Sequence, residues 1–232
     1  MNKKGIPRIL HFIYRTSVPP SRYAAYFERA KKLHPSWKVI VWDDESAFSL
    51  VSRYFPDFRE AYTAYRLPVQ RTDILRVMIM YLEGGFYLDL DMLCLKSLDE
   101  LCEYGAVLGV EKVLSAEQCA LLDHRHSVRI ANYMFGSRPG CVFWLELLAA
   151  ASKRAACPIG NEKDVLETTG PGLLTNVFHD VGGKYADILV LPNETRSCLK
   201  TCGPASCHFG DFAAHLHLGS WRWGANTFKL CQ

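Results

Sequence analysis

An α/β fold with parallel strands linked by helices is predicted by two observations. Apolar strand-like and helix-like segments alternate from the start of the chain, the order expected when helices cover a sheet. The composition, 49% hydrophobic and 22% charged, is that of a chain able to bury a core. At 232 residues, with no internal repeat and no Pro/Gly/Ser-rich linker, the expectation is one domain spanning 1–232.

The elements follow in order. "IPRILHFIY" is a mostly apolar strand, with Ile6, Ile9, Leu10, Phe12 and Tyr14. "VPPSRYAAYFERAKKLHP" is helical, with Pro19 and Pro20 at its start and Pro35 past its end. "WKVIVWDD" is a short strand, and helical stretches follow around 44–54 and 57–66. The stretch from Val69 to Glu83 is a helix with Pro68 at its first turn and Gly84 placed to stop it. Its apolar residues surround nearly the whole circumference, so it should be buried on most sides despite Arg71, Asp73 and Arg76. Asp73 and Arg76 stand three apart and share a face. "FYLDLDML" alternates, sending Phe86, Leu88, Leu90 and Met92 one way and Tyr87, Asp89 and Asp91 the other. "GAVLGV" reads as a strand, "RIANYMFGSRP" as strand or turn, and "CVFWLELLAAASKRAA" as a helix. "TTGPGLLTNVFHDVGG" is a loop leading into a helix and "ADILVLP" a last clear strand; the tail "HLHLGSWRWGANTF" is aromatic and turn-rich.

The acidic pair carries the chemistry. Two like charges projecting from one partly desolvated face repel, and a divalent cation removes the conflict. Oxygen ligands suit Mg²⁺ or Mn²⁺, which keep several waters and bind through one or two carboxylates together with substrate phosphates. On its own, Asp-x-Asp also suits a solvated loop or a helix N-cap. Arg71, Asp73 and Arg76 have a structural reading too, as an ion-pair network that satisfies buried charge.

With its surroundings the pair says more. Arg-x-Asp-x-x-Arg followed by Leu-x-Gly-Gly-x-Tyr-x-Asp-x-Asp, in "RTDILRVMIMYLEGGFYLDLD", resembles the sugar-nucleotide-binding core of glycosyltransferase family 32. That family contains initiating α-1,6-mannosyltransferases and bacterial capsule enzymes, and its core is similar to the large clostridial glucosylating toxins. "IPRILHFIY" resembles the family's opening strand, with Tyr14 where the family has Trp, and "HPSWKVIVWDDES", "GPGLLT" and "HLHLGSW" resemble further signatures. The dense match runs over residues 66 to 96.

The resemblance implies a GT-A fold, a single Rossmann-like mixed sheet flanked by helices. It also implies a hexosyltransferase using Mn²⁺ or Mg²⁺ and retaining the donor's anomeric configuration. Carried over residue by residue, Asp91 ligates the metal and Asp89 the ribose with or without the metal. Asp73 holds donor-sugar hydroxyls, and Arg76 the sugar or diphosphate. Tyr14 stacks on the base, an aromatic-face role. His217, Ser220 and Trp221 close over metal and diphosphate, with His217 counted as a metal ligand. Arg71 and Tyr87 join the donor-binding group, and Asn132 lies near the acceptor. The implied partners are a UDP- or GDP-hexose and a glycan, lipid or protein acceptor. A metal-dependent phosphohydrolase or nucleotidyltransferase and a carbohydrate-binding module are the competing readings.

Other features narrow the field. The 27 basic residues are scattered among 24 acidic ones, for a net +3, which does not favour nucleic acid. The run "CVFWLELLAAA" is about half the roughly 20 residues a bilayer span needs and contains Glu146, so no transmembrane segment is expected. The start "MNKKGIPRIL" lacks a signal-peptide pattern, and nine irregularly spaced cysteines fit reduced thiols, giving an expected cytoplasmic or membrane-peripheral location. Asn193 heads a glycosylation sequon whose use would require secretion. Cys198, Cys202, Cys207 and His208 raise a structural zinc site beside the reading as free thiols.

Overall fold

The computed structural model describes residues 5–193 and 207–218. Its first half alternates as expected: β1 (Ile9–Ile13), α1 (Ser21–Leu33), β2 (Lys38–Trp42), α2 (Asp44–Tyr54), α3 (Arg59–Ala64), α4 (Pro68–Leu82) and β3 (Gly85–Leu88). Then come β4 (Met92–Cys94), β5 (Ala106–Val113), α5 (Ala116–Leu122), β6 (Val128–Ile130), β7 (Met134–Ser137), α6 (Phe143–Ser152), α7 (Glu162–Thr168) and α8 (Pro171–Val181). The strands β8 (Ile188–Leu191), β9 (Cys207–Phe209) and β10 (Ala213–His215) complete the described residues. No described helix is long and apolar enough to cross a membrane.

In the main sheet β1 pairs in parallel with β2 and β3, and β3 pairs antiparallel with β7. β5 is antiparallel to β7 and β6 and parallel to β8, so the sheet is mixed. β6 and β7 run along one edge of β5 as an interrupted line, Ile130 facing Val110 and Ser137 facing Ala106. Ala131 N still donates to Gly109 O on β5 at 2.8 Å, and the break at 132–133 turns the next two carbonyls to other partners.

Strand alternation distributes the core to two faces. Phe86 and Leu88 pack with Leu10, Phe12 and Tyr23 on one side, while Tyr87 packs with Ile74, Met78, Phe135 and Trp144 on the other. Helix α4 lies on the second side against α6, α2 and α3, so almost every face of it is covered. Its N-terminal Pro68 gives up an amide that has no partner in a first turn, and Gly84, at φ 65°, ends it in the left-handed cap conformation.

Two expectations change. The Asp89–Asp91 segment is a turn rather than strand: β3 stops at Leu88, Met92 N donates to Asp89 O at 3.1 Å, and β4 starts there. Leu90 and Met92 nevertheless join the same apolar cluster as Phe86 and Leu88. A three-stranded antiparallel sheet, in the order β4, β10, β9, also stands beside the main one, where a single sheet was expected. Its register sets His215 opposite Met92, one residue from Asp91.

Gly85 opens β3 at φ 87°, and a Cβ there would lie 2.7 Å from the carbonyl oxygen of Ile9 on β1. Gly85→Ala is therefore expected to cost at least ~2 kcal/mol, as a left-handed strain plus a backbone clash. Urea unfolding checks it; a loss under ~0.5 kcal/mol would contradict this account.

Candidate functional site

A cleft of about 1440 Å³ opens along the ends of β1, β3 and α4. Tyr14, Arg71, Asp73, Arg76, Asp89 and Asp91 line it, as do Tyr87, Asn132, His215 and His217. Every described residue expected at the site thus lines one cavity; Ser220 and Trp221 lie outside the described residues.

The floor is built by α4. Arg76 is buried, reaches Asp73 Oδ1 at 3.2 Å and Asp89 Oδ1 at 3.4 Å, and stands 4.4 Å over the Tyr87 ring. Its Nη1 also donates to the carbonyl of Asn132, one of the peptides freed by the β6/β7 break. Burial alone would lower the Arg76 pKa, but Tyr87, Asp89, Asp73 and Asp91 outweigh it and raise it, so the guanidinium stays charged. The structural reading of the Asp73–Arg76 pair as a satisfied ion pair is realised, and the same pair faces the cleft.

Asp73 is held on both oxygens. Asn132 Nδ2 donates to Oδ1 at 2.9 Å and Thr169 Oγ1 to Oδ2 at 3.0 Å. Burial raises its pKa to about 6 against the pull of Arg76 and these donors. No local pattern marks Thr169; it sits just before Gly170 and Pro171, where α8 starts, in a stretch that reads as loop. Arg71, though it lines the cleft, turns its Nη1 to the carbonyl of Tyr65 at 2.8 Å.

The two acids of the turn face a third group. The ligand atoms of Asp89, Asp91 and His215 lie within 4.8 Å of one another. Asp91 is buried, with Oδ1 3.1 Å from His215 Nε2 and Oδ2 accepting from Leu218 N at 2.8 Å. Burial pushes its pKa up, yet the hydrogen bond and charge of His215 and the Leu218 amide hold it below the usual carboxylate range. Asp89 accepts from Tyr87 Oη, and its own amide donates to Tyr133 O at 2.9 Å, the second use of the β6/β7 break.

The histidine at this cluster is His215, where His217 was expected. β10 ends at His215, and the chain then turns at His217, φ 54°, whose Nε2 lies 3.1 Å from Cys207 Sγ. The same turn delivers the Leu218 amide to Asp91. Of the four groups that raised a zinc site, Cys198 and Cys202 lie outside the described residues, and Cys207 is the one that meets His217.

One carboxylate pair and an imidazole suit a divalent ion of the Mn²⁺ or Mg²⁺ type, the imidazole favouring the softer Mn²⁺. Gaps of up to 4.8 Å between ligand atoms need only modest closing around one ion whose bonds run to about 2.1 Å.

A buried histidine supports the floor from below. His11 Nδ1 accepts from Trp42 Nε1 at 3.0 Å, so Nε2 carries the proton and donates to the Gly84 carbonyl at 2.9 Å. Burial lowers its pKa to about 4. The unfolded chain thus binds a proton between roughly pH 6.5 and 4 that the native state refuses, and stability falls there as pH drops, by on the order of 3 kcal/mol. Asp73 acts oppositely: its raised native pKa adds stability as pH falls from about 6 toward 3.8. The native protein should show a shallow slope. In urea unfolding at pH 7.5 and 4.5, His11→Gln should become more stable at the lower pH and Asp73→Asn less so; parallel profiles would refute the assignment.

Residues 20–108 match the family described as glycosyltransferase sugar-binding region containing DXD motif. Mannosyl phosphorylinositol ceramide synthase SUR1 of Saccharomyces cerevisiae is 28% identical over 173 residues, 75% of this chain and 42% of that one. The chain thus spans less than half of that relative's length. A protein of Acanthamoeba polyphaga mimivirus described as uncharacterized glycosyltransferase L373 is 26% identical over 242 residues, 98% of this chain and 87% of its own. Among solved structures, the PaToxG glycosyltransferase superposes with a TM-score of 0.56 at 18% identity, over 78% of this chain and 72% of that one, a likeness of fold. The fold is of the GT-A type, and residues 20–108, which carry the DXD segment, are similar to the glycosyltransferase sugar-binding region.

Proposed function

We propose that this chain, working as one catalytic unit over 1–232, transfers a hexose from a nucleotide-diphosphate sugar to an acceptor hydroxyl with a divalent ion bound, Mn²⁺ by preference. The observation that carries this reading is the convergence of Asp89, Asp91 and His215 on a cleft whose floor is the Asp73–Arg76–Asn132 network. Bound there, the ion would supply Lewis-acid stabilisation of the departing diphosphate.

The chain's own groups do the rest. Arg76, fixed by Asp73 and Asp89, presents a pre-oriented positive charge at no reorganisation cost. Asp73 accepts from donor-sugar hydroxyls, and Tyr14 lies on the cleft wall where a base can stack. Asp91 and His215 fix one another, so the ligand set forms before donor arrives. Retention of anomeric configuration rests on the family resemblance.

Incubation with Mn²⁺ and a panel of sugar nucleotides tests the proposal. Release of nucleoside diphosphate together with a glycosylated acceptor is expected. Nucleoside monophosphate would point to phosphodiester cleavage, and binding without turnover to a carbohydrate-binding module; either overturns it.

A further inference from the structure

The cleft holds a second set of charges that the donor site does not use. Its volume of about 1440 Å³ exceeds the roughly 300–1,000 Å³ that one ligand fills, so a second molecule has room. Lys112 and Arg129 line the wall formed by the β5–β6 ladder, and His124, between α5 and β6, lines the same cleft.

Arg129 is 3% exposed, and its Nε and Nη1 have no hydrogen-bond partner among the described residues. Its ion pair is a loose one, Nη2 to Glu167 Oε1 at 3.4 Å. That carboxylate is shared: His124 Nδ1 stands 3.7 Å from the same oxygen, and Asn176 Nδ2 donates to the other at 3.0 Å. A guanidinium taken out of water with two donors unsatisfied is costly.

The register adds a second cost. Lys112 lies directly opposite Arg129 across the two strands, and like charges in that relation repel. A fold that sets two cations face to face on a cleft wall, beside a histidine, is complemented by a compact anion. Glu111 and Glu162 line the same cleft, which disfavours a long polyanion and favours one small group.

The wall is tied to the donor floor. Thr169, which donates to Asp73, is two residues from Glu167, and Asn132, which also donates to Asp73, is three from Arg129. An anion on this wall therefore stands next to the donor sugar, where an acceptor must lie.

We propose that Lys112, His124 and Arg129 form a phosphate-binding subsite on the acceptor side of the cleft, so that the acceptor is a phosphate-bearing molecule. This rests on the transferase reading above. It adds what that reading leaves open, the chemical class of the acceptor.

Two measurements on the full chain test it. Calorimetry with inorganic phosphate alone should show binding that weakens about tenfold in Arg129→Gln, the effect of losing a charge-assisted hydrogen bond. Because Arg129 is buried, the exposed Lys112 supplies a second variant whose fold is not at stake: Lys112→Gln should weaken phosphate severalfold. The second measurement is inhibition of transfer. Mannose 6-phosphate should compete with acceptor, not donor, at about a tenth of the concentration needed for mannose, which separates an acceptor's phosphate from the free ion. Equal inhibition by the two sugars, competition with donor, or phosphate binding unchanged in Lys112→Gln would overturn the subsite. Because calorimetry needs no sugar nucleotide, a protein without transferase activity still gives an answer: phosphate binding weakened severalfold in Lys112→Gln supports the subsite, and no phosphate heat in the parent refutes it. Transfer without phosphate discrimination would sink the subsite alone.

Discussion

Asp91→Asn should abolish Mn²⁺-dependent release of nucleoside diphosphate, lowering turnover by about a thousandfold, or ~4 kcal/mol of lost transition-state stabilisation. The substitution is close to isosteric. The amide oxygen can still accept from Leu218 N, and its NH₂ can donate to His215 Nε2, because His215 Nδ1 has no partner among the described residues and the ring can carry its proton there. The fold should therefore survive, with a thermal midpoint within a few degrees of the parent. What disappears is the negative charge facing Asp89, and with it the charge that would draw in a divalent ion. Calorimetric Mn²⁺ titration and donor turnover should fail together. A variant that still takes up Mn²⁺ with unchanged affinity would show that Asp91 is not a ligand.

Arg76→Ala should act on stability as well as on activity. Its removal leaves Asp73, 4% exposed, and the nearby Asp89 without their cation, and breaking one side of a buried pair costs ~3–5 kcal/mol. For a domain of this size that is a fall in thermal midpoint of roughly 6–20 °C. The sign of the pH dependence identifies the cause. Without Arg76 the carboxyl of Asp73 rises further above its ordinary value, so the native state binds a proton that the unfolded chain releases, and stability recovers as pH falls. Asp73→Asn added to Arg76→Ala should restore much of the loss at pH 7. If Arg76→Ala unfolds at the parent midpoint, or its profile does not turn upward in acid, Arg76 is not the counter-ion described here.

How far these features can be read from the chain differs by element. Helix α4 and its buried Asp73–Arg76 pair are legible because periodicity, Pro68, Gly84 and the three-residue spacing all act within one turn or two. The apolar side of β3 is legible for the same local reason. The Asp89–Asp91 turn is not, since alternation in "FYLDLDML" suits a continuous strand and the break is set by β4 pairing with β10. His215 and His217 lie one alternation apart, so their sequence cannot decide which reaches the acids; the end of β10 does. Thr169 and Arg129 carry no local signal, and they matter through partners far along the chain.

The separation between Asp91 and His215 is 124 residues, and the contact between them joins the end of one sheet to the end of another. The DXD segment alone is thus an unfinished device. During synthesis it emerges long before β9 and β10, and closing so large a loop comes late in folding. A nascent or proteolytically nicked chain would carry an intact acidic motif with no imidazole to complete it. Such fragments should be inert toward sugar nucleotides, and loss of β10 docking should silence the protein without altering a single acid.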